Sequence, residues 1–323
     1  MKLAACLALG MVLASAPAYS DSVVSPTAGA DWLQKIAAAA RKLNYAGTFV
    51  YQHGDQAETS RIWHFVDGSG EYEKLEILDG PAREVIRNNE EVLCYYPDSK
   101  TVKVEKRRSK PFPSLLPEQL GGLTDFYTVR MGEKERIAGY EAQSLILEPI
   151  DGLRYGHKFW ADVATGLLLK ARMSNERKEI VEQFAFTQLT IGGDFDKAAL
   201  KPSYNAQVPG WSLDSSGVAQ PEMSDTGWVV SSFPAGFKKI METKRTLPGR
   251  KAPVSHIVFS DGLAAISVFI EPLAPNARSV RGVSHQGAIN IYSRSVADHM
   301  VTVLGEAPSE TIVQIGQSVA ARK

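Results

Sequence analysis

The chain has 323 residues, with 36 Lys and Arg against 36 Asp and Glu, and 44% of it is hydrophobic. Zero net charge excludes the global polycation of a nucleic-acid binder, so an anionic partner must be met by a local patch. No His pair stands at metal-binding helix spacing around a carboxylate. No Gly-x-Ser-x-Gly elbow and no phosphate-cradling loop ending in Gly-Lys-Ser/Thr occurs, so no metal, cofactor or catalytic residue is assigned.

Lys2, the apolar run over residues 3–13 and Ala16-Pro17-Ala18 read as a secretory signal peptide over residues 1–18. The run is shorter than the roughly 20 residues of a membrane span, so the expected product is exported and soluble. Cys6 precedes the apolar core instead of following it, which argues against lipidation. After cleavage Cys94 is the one remaining thiol: no internal disulfide can form, and a buried apolar thiol is the better reading than a nucleophile.

Residues 19–30 read as a flexible leader. Trp32, Ile36, Ala40 and Leu43 then recur at helical spacing, which predicts an amphipathic helix over 31–44 capped by Asp31. From Gly47 the period becomes two, through segments 48–51, 61–65, 72–78, 84–87, 91–96 and 101–105, a long antiparallel meander. The prolines of segment 111–117 break it, making a loop that leads toward a short helix near 118–120. Strands resume over 127–130, 141–148, 157–161, 167–173 and 179–189. About ten strands against one long helix argue for a large curved sheet or partly open barrel.

Between Gly192 and Gly227 the composition turns to Gly, Pro, Ser, Asp and Ala without periodicity, and an interdomain linker is placed at 201–226. The second domain, 227–323, reads as a small α+β unit. Its central hairpin is Ile257–Ile270, with Asp261-Gly262 as a two-residue primed turn, and its last element is a helix capped by Ser309 with Ile312, Ile315 and Val319 on one face.

Three features carry functional weight. Phe49 and Tyr51, Trp63 and Phe65, and Phe184 and Phe186 pair within their strands at period two, and they line either a filled core or an apolar pocket. Lys100, Lys103, Lys106, Arg107, Arg108 and Lys110 form a cationic stretch opposed only by Glu105. It reads equally as a charged edge strand that resists aggregation or as a patch for anionic lipid or an acidic partner, beside Phe112, Leu115 and Leu116. Asp225-Thr226-Gly227 is the tripeptide of aspartic proteases, but it occurs once, and that chemistry needs two such carboxylates sharing a proton; a linker turn is the better reading.

Read as strings, Ser260-Asp261-Gly262-Leu263-Ala264 and Ser267-Val268-Phe269-Ile270-Glu271-Pro272 resemble the C-terminal domain of the RseB/MucB family. Asp31-Trp32-Leu33, Gly47-Thr48-Phe49-Val50-Tyr51, Ile62-Trp63-His64, Leu78-Asp79-Gly80, Arg154-Tyr155-Gly156 and Pro234-Ala235-Gly236-Phe237 resemble the family in the same order, nearly end to end. The resemblance implies a mostly β, α+β periplasmic protein with two parts: a large half-open antiparallel β-barrel with covering helices, like the lipoprotein carriers, over 31–200, and a small α+β domain. It implies no enzyme. It implies a regulator that binds the periplasmic region of a RseA/MucA-like anti-sigma factor, shields it from proteolysis and is released by stress-derived lipid or lipopolysaccharide, with lipopolysaccharide or lipoprotein acyl chains as further binding partners. The alternative is a periplasmic lipid or lipoprotein carrier. A homo-oligomer is left open, and nucleic acid is not expected.

Overall fold

The computed structural model describes residues 26–106, 112, 115–116, 122–193, 196–217, 223–245, 252–273 and 281–322. The segment expected to be a signal peptide, most of the expected leader, the short helix expected near 118–120, and Arg107, Arg108 and Lys110 lie outside these residues.

Helix α1 (Pro26–Lys42) starts five residues before the predicted Asp31. Proline suits a first helical position, where its missing N–H would be unsatisfied anyway, and Arg41 and Lys42 sit favourably at the C-terminal end of the helix dipole. Leu33, Ile36, Ala37 and Ala40 bury one face, and the small alanines let the helix approach the sheet closely.

The large sheet comprises β1 (Tyr45–His53), β2 (Gln56–Asp67), β3 (Gly70–Ile77), β4 (Arg83–Asn88), β5 (Glu91–Tyr96), β6 (Thr101–Lys106), β7 (Tyr127–Ile137), β8 (Tyr140–Pro149), β9 (Gly156–Asp162), β10 (Leu168–Ser174), β11 (Ile180–Ile191) and β12 (Ser212–Gly217). Its order is β12-β6-β5-β4-β3-β2-β1-β11-β10-β9-β8-β7. β1 is the hinge of the meander, with β2 to β6 running away on one side and β11 back to β7 on the other. The edges β7 and β12 do not pair, so the sheet is half-open, and α1 lies across β7 and β10 inside its curve.

The segment placed as linker does not hang free. Tyr204, Ala206 and Trp211 pack on Ile86, Leu93, Tyr95 and Val102, covering the outer face of β4 to β6. β12 then pairs in parallel with β6. Sequence periodicity misses β12 because it is an edge strand: Leu213 is 69% exposed, and Ser212, Ser215 and the glycine at its end carry no apolar alternation.

The small domain holds β13 (Trp228–Val230), β14 (Lys238–Arg245), β15 (Val254–Ser260), β16 (Ala265–Pro272), β17 (Gly282–Gln286), β18 (Ile289–Val296), β19 (His299–Gly305), α2 (Ser309–Gln317) and β20 (Val319–Ala321). Six of its strands form a sheet in the order β14-β15-β16-β19-β18-β17, and β13 pairs with β20. α2 packs on β18 and β19. Pro308, not Ser309, is the N-cap, and Val319 lies past the helix in β20, where it is still buried.

The β15–β16 turn differs from the two-residue form expected. Ser260 pairs with Ala265, leaving a four-residue loop in which the Asp261 carboxylate accepts the amides of Leu263 and Ala264 at 3.0 and 2.9 Å. Asp261 is thereby committed to its own loop and to the other domain. The Arg154 side chain, fully buried in the β8–β9 loop, donates from Nε to Asp261 at 2.9 Å, and its two terminal nitrogens donate to Asp151 and to the carbonyl of Ala235. Its guanidinium lies 4.6 Å from the Phe126 ring and 5.1 Å from that of Phe237. Gly236, at φ 87°, has no alternative here: a Cβ would sit 2.3 Å from the Phe126 ring.

Removing one member of a buried pair leaves the other charge unpaired, which costs about 3–5 kcal/mol. Arg154→Met is expected to lower the thermal midpoint and to expose the segment between the domains to limited proteolysis. Arg154→Lys recovers only part of the loss, because an ammonium cannot match the fork of three acceptors and two rings. Wild-type behaviour in both assays for Arg154→Met would show that this contact does not hold the domains together.

Candidate functional site

Alternation on β1 sends Tyr45, Gly47, Phe49 and Tyr51 to the inner face of the sheet. Phe49 meets Phe184 and Phe186 of β11 edge-on, at 6.4 and 5.8 Å. The proline-rich loop enters this cluster. Phe112 stacks on Phe49 at 4.1 Å and meets Phe184 at 4.8 Å, while the Tyr45 hydroxyl donates to the Phe112 carbonyl at 2.6 Å. Leu116 is fully buried in the same core. Phe49, Phe184 and Phe186 form one packed cluster with Phe112 and Leu116, placed apart from them in the sequence reading, while Leu115 is exposed. The interior around them is filled, not open.

Trp63 and Phe65 are not part of it. Register pairs Gly47 with Ile62 and Tyr45 with His64, so the even residues of β2 face inward and the odd ones outward. Trp63 carries Arg61 and Lys74 over its ring, and Phe65 carries Lys197, all on the outer face. Each strand's faces were legible, but which faces coincide is set by register alone. His64 is a hydrogen-bonded sheet histidine: Nδ1 contacts Leu43 O at 2.8 Å, Nε2 contacts Glu71 at 3.1 Å, and the ring stacks on Tyr45.

Of the cationic stretch, Lys103 is exposed, with its ammonium 5.3 Å from the Tyr96 ring; Lys106 ends β6, and nothing is described of its side chain. The edge-strand explanation does not fit β6, since β12 covers its outer edge. Cys94 is half-buried, and burial pushes its thiol up, away from nucleophile chemistry. Asp225 pairs with exposed Arg322, while Thr226 binds Glu242 through both its amide and its hydroxyl, so this tripeptide is a structural turn.

A feature the sequence reading passed over lies where the two domains meet. A small cavity of about 70 Å³ is lined by Leu115, His157, Phe159, Glu182 and Phe184 from the large domain and by Leu263 and Glu306 from the small one. Glu182 shares the inward parity of Phe184, and a carboxylate on an aromatic face was the available signal. Burial, then the neighbouring Glu306 charge, pushes Glu182 from 4.5 up to about 7; burial also raises Glu306 and drops His157 to about 4. A wider cleft of about 700 Å³ continues between the domains, with His53 and Glu179 on one wall and His285 and Asn290 on the other.

Protonated Glu182 is the form the docked domains favour. The stability it affects is therefore unreduced below about pH 4.5, falls as pH rises toward 7, and is level above. Glu182→Gln is expected to raise stability at pH 8 by about 2–3 kcal/mol, and to change little at pH 4. Denaturant melts across pH 4–8 check this, and parallel curves for both proteins would contradict it.

Profiles of the MucB/RseB N-terminal and C-terminal domains match residues 28–204 and 222–320. The sigma factor AlgU regulatory protein MucB of Pseudomonas aeruginosa is 32% identical over 301 residues, 90% of each chain. The sigma-E factor regulatory protein RseB of Salmonella typhimurium is 28% identical over 326 residues, covering 98% of this chain and 97% of that one. Among solved structures, the Pseudomonas aeruginosa MucA/MucB complex aligns at TM-score 0.75 and 30% identity, covering 92% of this chain and 99% of that one. A crystal structure of MucB with MucA(peri) gives 0.73 and 29%, covering 91% and 99%, and one of MucB alone gives 0.63 and 28%, covering 92% and 98%. These relatives carry regulatory names, not enzymatic ones. With both domains matched in order over most of its length, the chain belongs to the MucB/RseB family of sigma factor regulatory proteins.

Proposed function

We propose that this chain is a periplasmic regulator that binds the periplasmic region of a transmembrane anti-sigma factor and protects it from regulated proteolysis. The observation that carries the reading is the alignment, across both domains, with MucB bound to MucA, at TM-scores of 0.75 and 0.73 against 0.63 for MucB alone. Among the described residues no helix is long and apolar enough to cross a membrane. Export through the signal peptide at 1–18, without lipidation, belongs to the same proposal.

Protection needs only affinity, and release needs only a ligand that binds the free form better than the complexed one. Lipopolysaccharide or a lipoprotein acyl chain is that ligand in this reading, and its apolar part takes the place of Phe112 against Phe49 and Phe184. A plain lipid carrier is the second reading. The same packing weighs against it, because the inner face holds the chain's own Phe112 and Leu116 instead of a waiting cavity.

Purified mature protein is expected to slow cleavage of the anti-sigma periplasmic segment by its site-one protease, and lipopolysaccharide is expected to restore it. An unaltered cleavage rate sinks the proposal. Reversing the charges of Lys106, Arg107 and Arg108 to glutamate is expected to weaken partner or lipid binding, more at low than at high salt. Unchanged affinity at low salt removes the cationic stretch from the interface.

A further inference from the structure

The outer face of the large sheet carries a second pocket, on the side away from Phe112. Tyr72, Ile86 and Leu93 form its floor, Leu200 and Pro202 its wall. Register places the floor residues together: Tyr72 opposes Asn88, and Ile86 opposes Leu93. Its volume is about 410 Å³. That lies within the roughly 300–1,000 Å³ of ligand clefts and equals about fourteen water volumes at ~30 Å³ each, room for a single chain or ring system but not for a multi-acyl lipid.

The wall is held in place from both ends. Lys74, buried, pairs with Glu84 at 3.0 Å and donates to the Lys201 carbonyl at 3.1 Å and to Ser203 Oγ at 2.8 Å. The Ser203 amide in turn donates to Glu84 at 2.9 Å. At the other end Lys197 pairs with Asp67 and lies 4.7 Å from the Phe65 ring. The pocket is therefore part of the fold, not slack in a loop, and its apolar floor and wall are only partly covered. Its cationic border residues are Lys197 and Lys201, both exposed, and Arg87, whose side chain belongs to the inner face, against one carboxylate, Glu91. Arg87 pairs with Glu73. Lys197 and Lys201 are the exposed cations of the wall segment, with the Asn88 amide across from them.

We propose that this pocket binds a single-chain or single-ring anionic amphiphile, its apolar body on Ile86, Leu93 and Leu200 and its carboxylate or phosphate at Lys197 and Lys201. The site is separate from the inner face on which the lipid-release reading rests. The wall it contacts runs on through Tyr204 and Trp211 to β12, so an occupant braces the segment that leads from one domain to the other.

The mature chain titrated with decanoate and with decyl phosphate, followed by calorimetry and native mass spectrometry, tests this, with decylammonium as the control of opposite charge. A one-to-one adduct is expected with either anion, and decylammonium is expected to bind at least about tenfold more weakly. A preference between the two anions identifies the head group. Lys201→Glu is expected to reduce anion affinity by about tenfold, and Leu200→Trp to fill the pocket and abolish the adduct while the circular dichroism and thermal midpoint stay at wild-type values. Phe112→Ala, on the other face, is expected to leave the adduct unchanged. The proposal is overturned by the absence of an adduct at millimolar anion, by equal binding of decylammonium, or by an adduct that survives Leu200→Trp and is lost in Phe112→Ala.

Discussion

The relation between the two domains depends on one guanidinium removed from water. A buried charge is costly unless it is paired and hydrogen-bonded, and each of the three Arg154 nitrogens has a partner, in Asp151, Asp261 and the Ala235 carbonyl, between two aromatic faces. Its partners come from the β8–β9 loop, the turn before β14 and the β15–β16 loop. These are three of the segments whose strings resemble the family: Arg154-Tyr155-Gly156, Pro234-Ala235-Gly236-Phe237 and Ser260-Asp261-Gly262. Scattered across about a hundred residues of sequence, they meet at one point; Gly262, at φ 102°, suits its turn, and Gly236 allows the close approach to the Phe126 ring.

The remainder of the junction is less settled energetically. Further contacts cross it, from Asn290 to the Tyr155 hydroxyl and from the Thr311 hydroxyl to the Leu153 carbonyl, both neutral hydrogen bonds of ordinary length. Glu182 and Glu306 work the other way, since two carboxylates near one small cavity oppose docking once both are charged. The junction thus combines a satisfied ion cluster with a strained carboxylate pair. Docking of the domains is therefore weakened as pH rises and Glu182 becomes charged beside Glu306.

The large sheet is covered on both faces, by α1 and the Phe112 loop inside and by residues 197–211 outside. Covering the inside with the chain's own side chains makes ligand entry there an exchange, not a filling. On the outside, the buried Lys74–Glu84 pair fastens the covering segment, and the apolar floor beside it is left partly open. The two faces therefore differ in chemistry: a packed aromatic cluster on one, a walled cleft with exposed lysines at its border on the other.

Much of the fold was legible in the sequence. Period-two alternation located the strands of the meander, helical spacing located α1, and turn residues marked most reversals, because these signals come from neighbours close along the chain. The ordered strings carried the family. Tertiary structure alone decided that Phe49 and Phe184 share a face with Phe112 while Trp63 and Phe65 do not, that residues 204–217 of the expected linker pack on and pair with the large sheet, and that Arg154, Glu182 and Glu306 sit where the domains meet. Each of these is a pairing between distant segments, fixed by strand register and loop path. Local pattern records which way a side chain points relative to its neighbours, not what it points at.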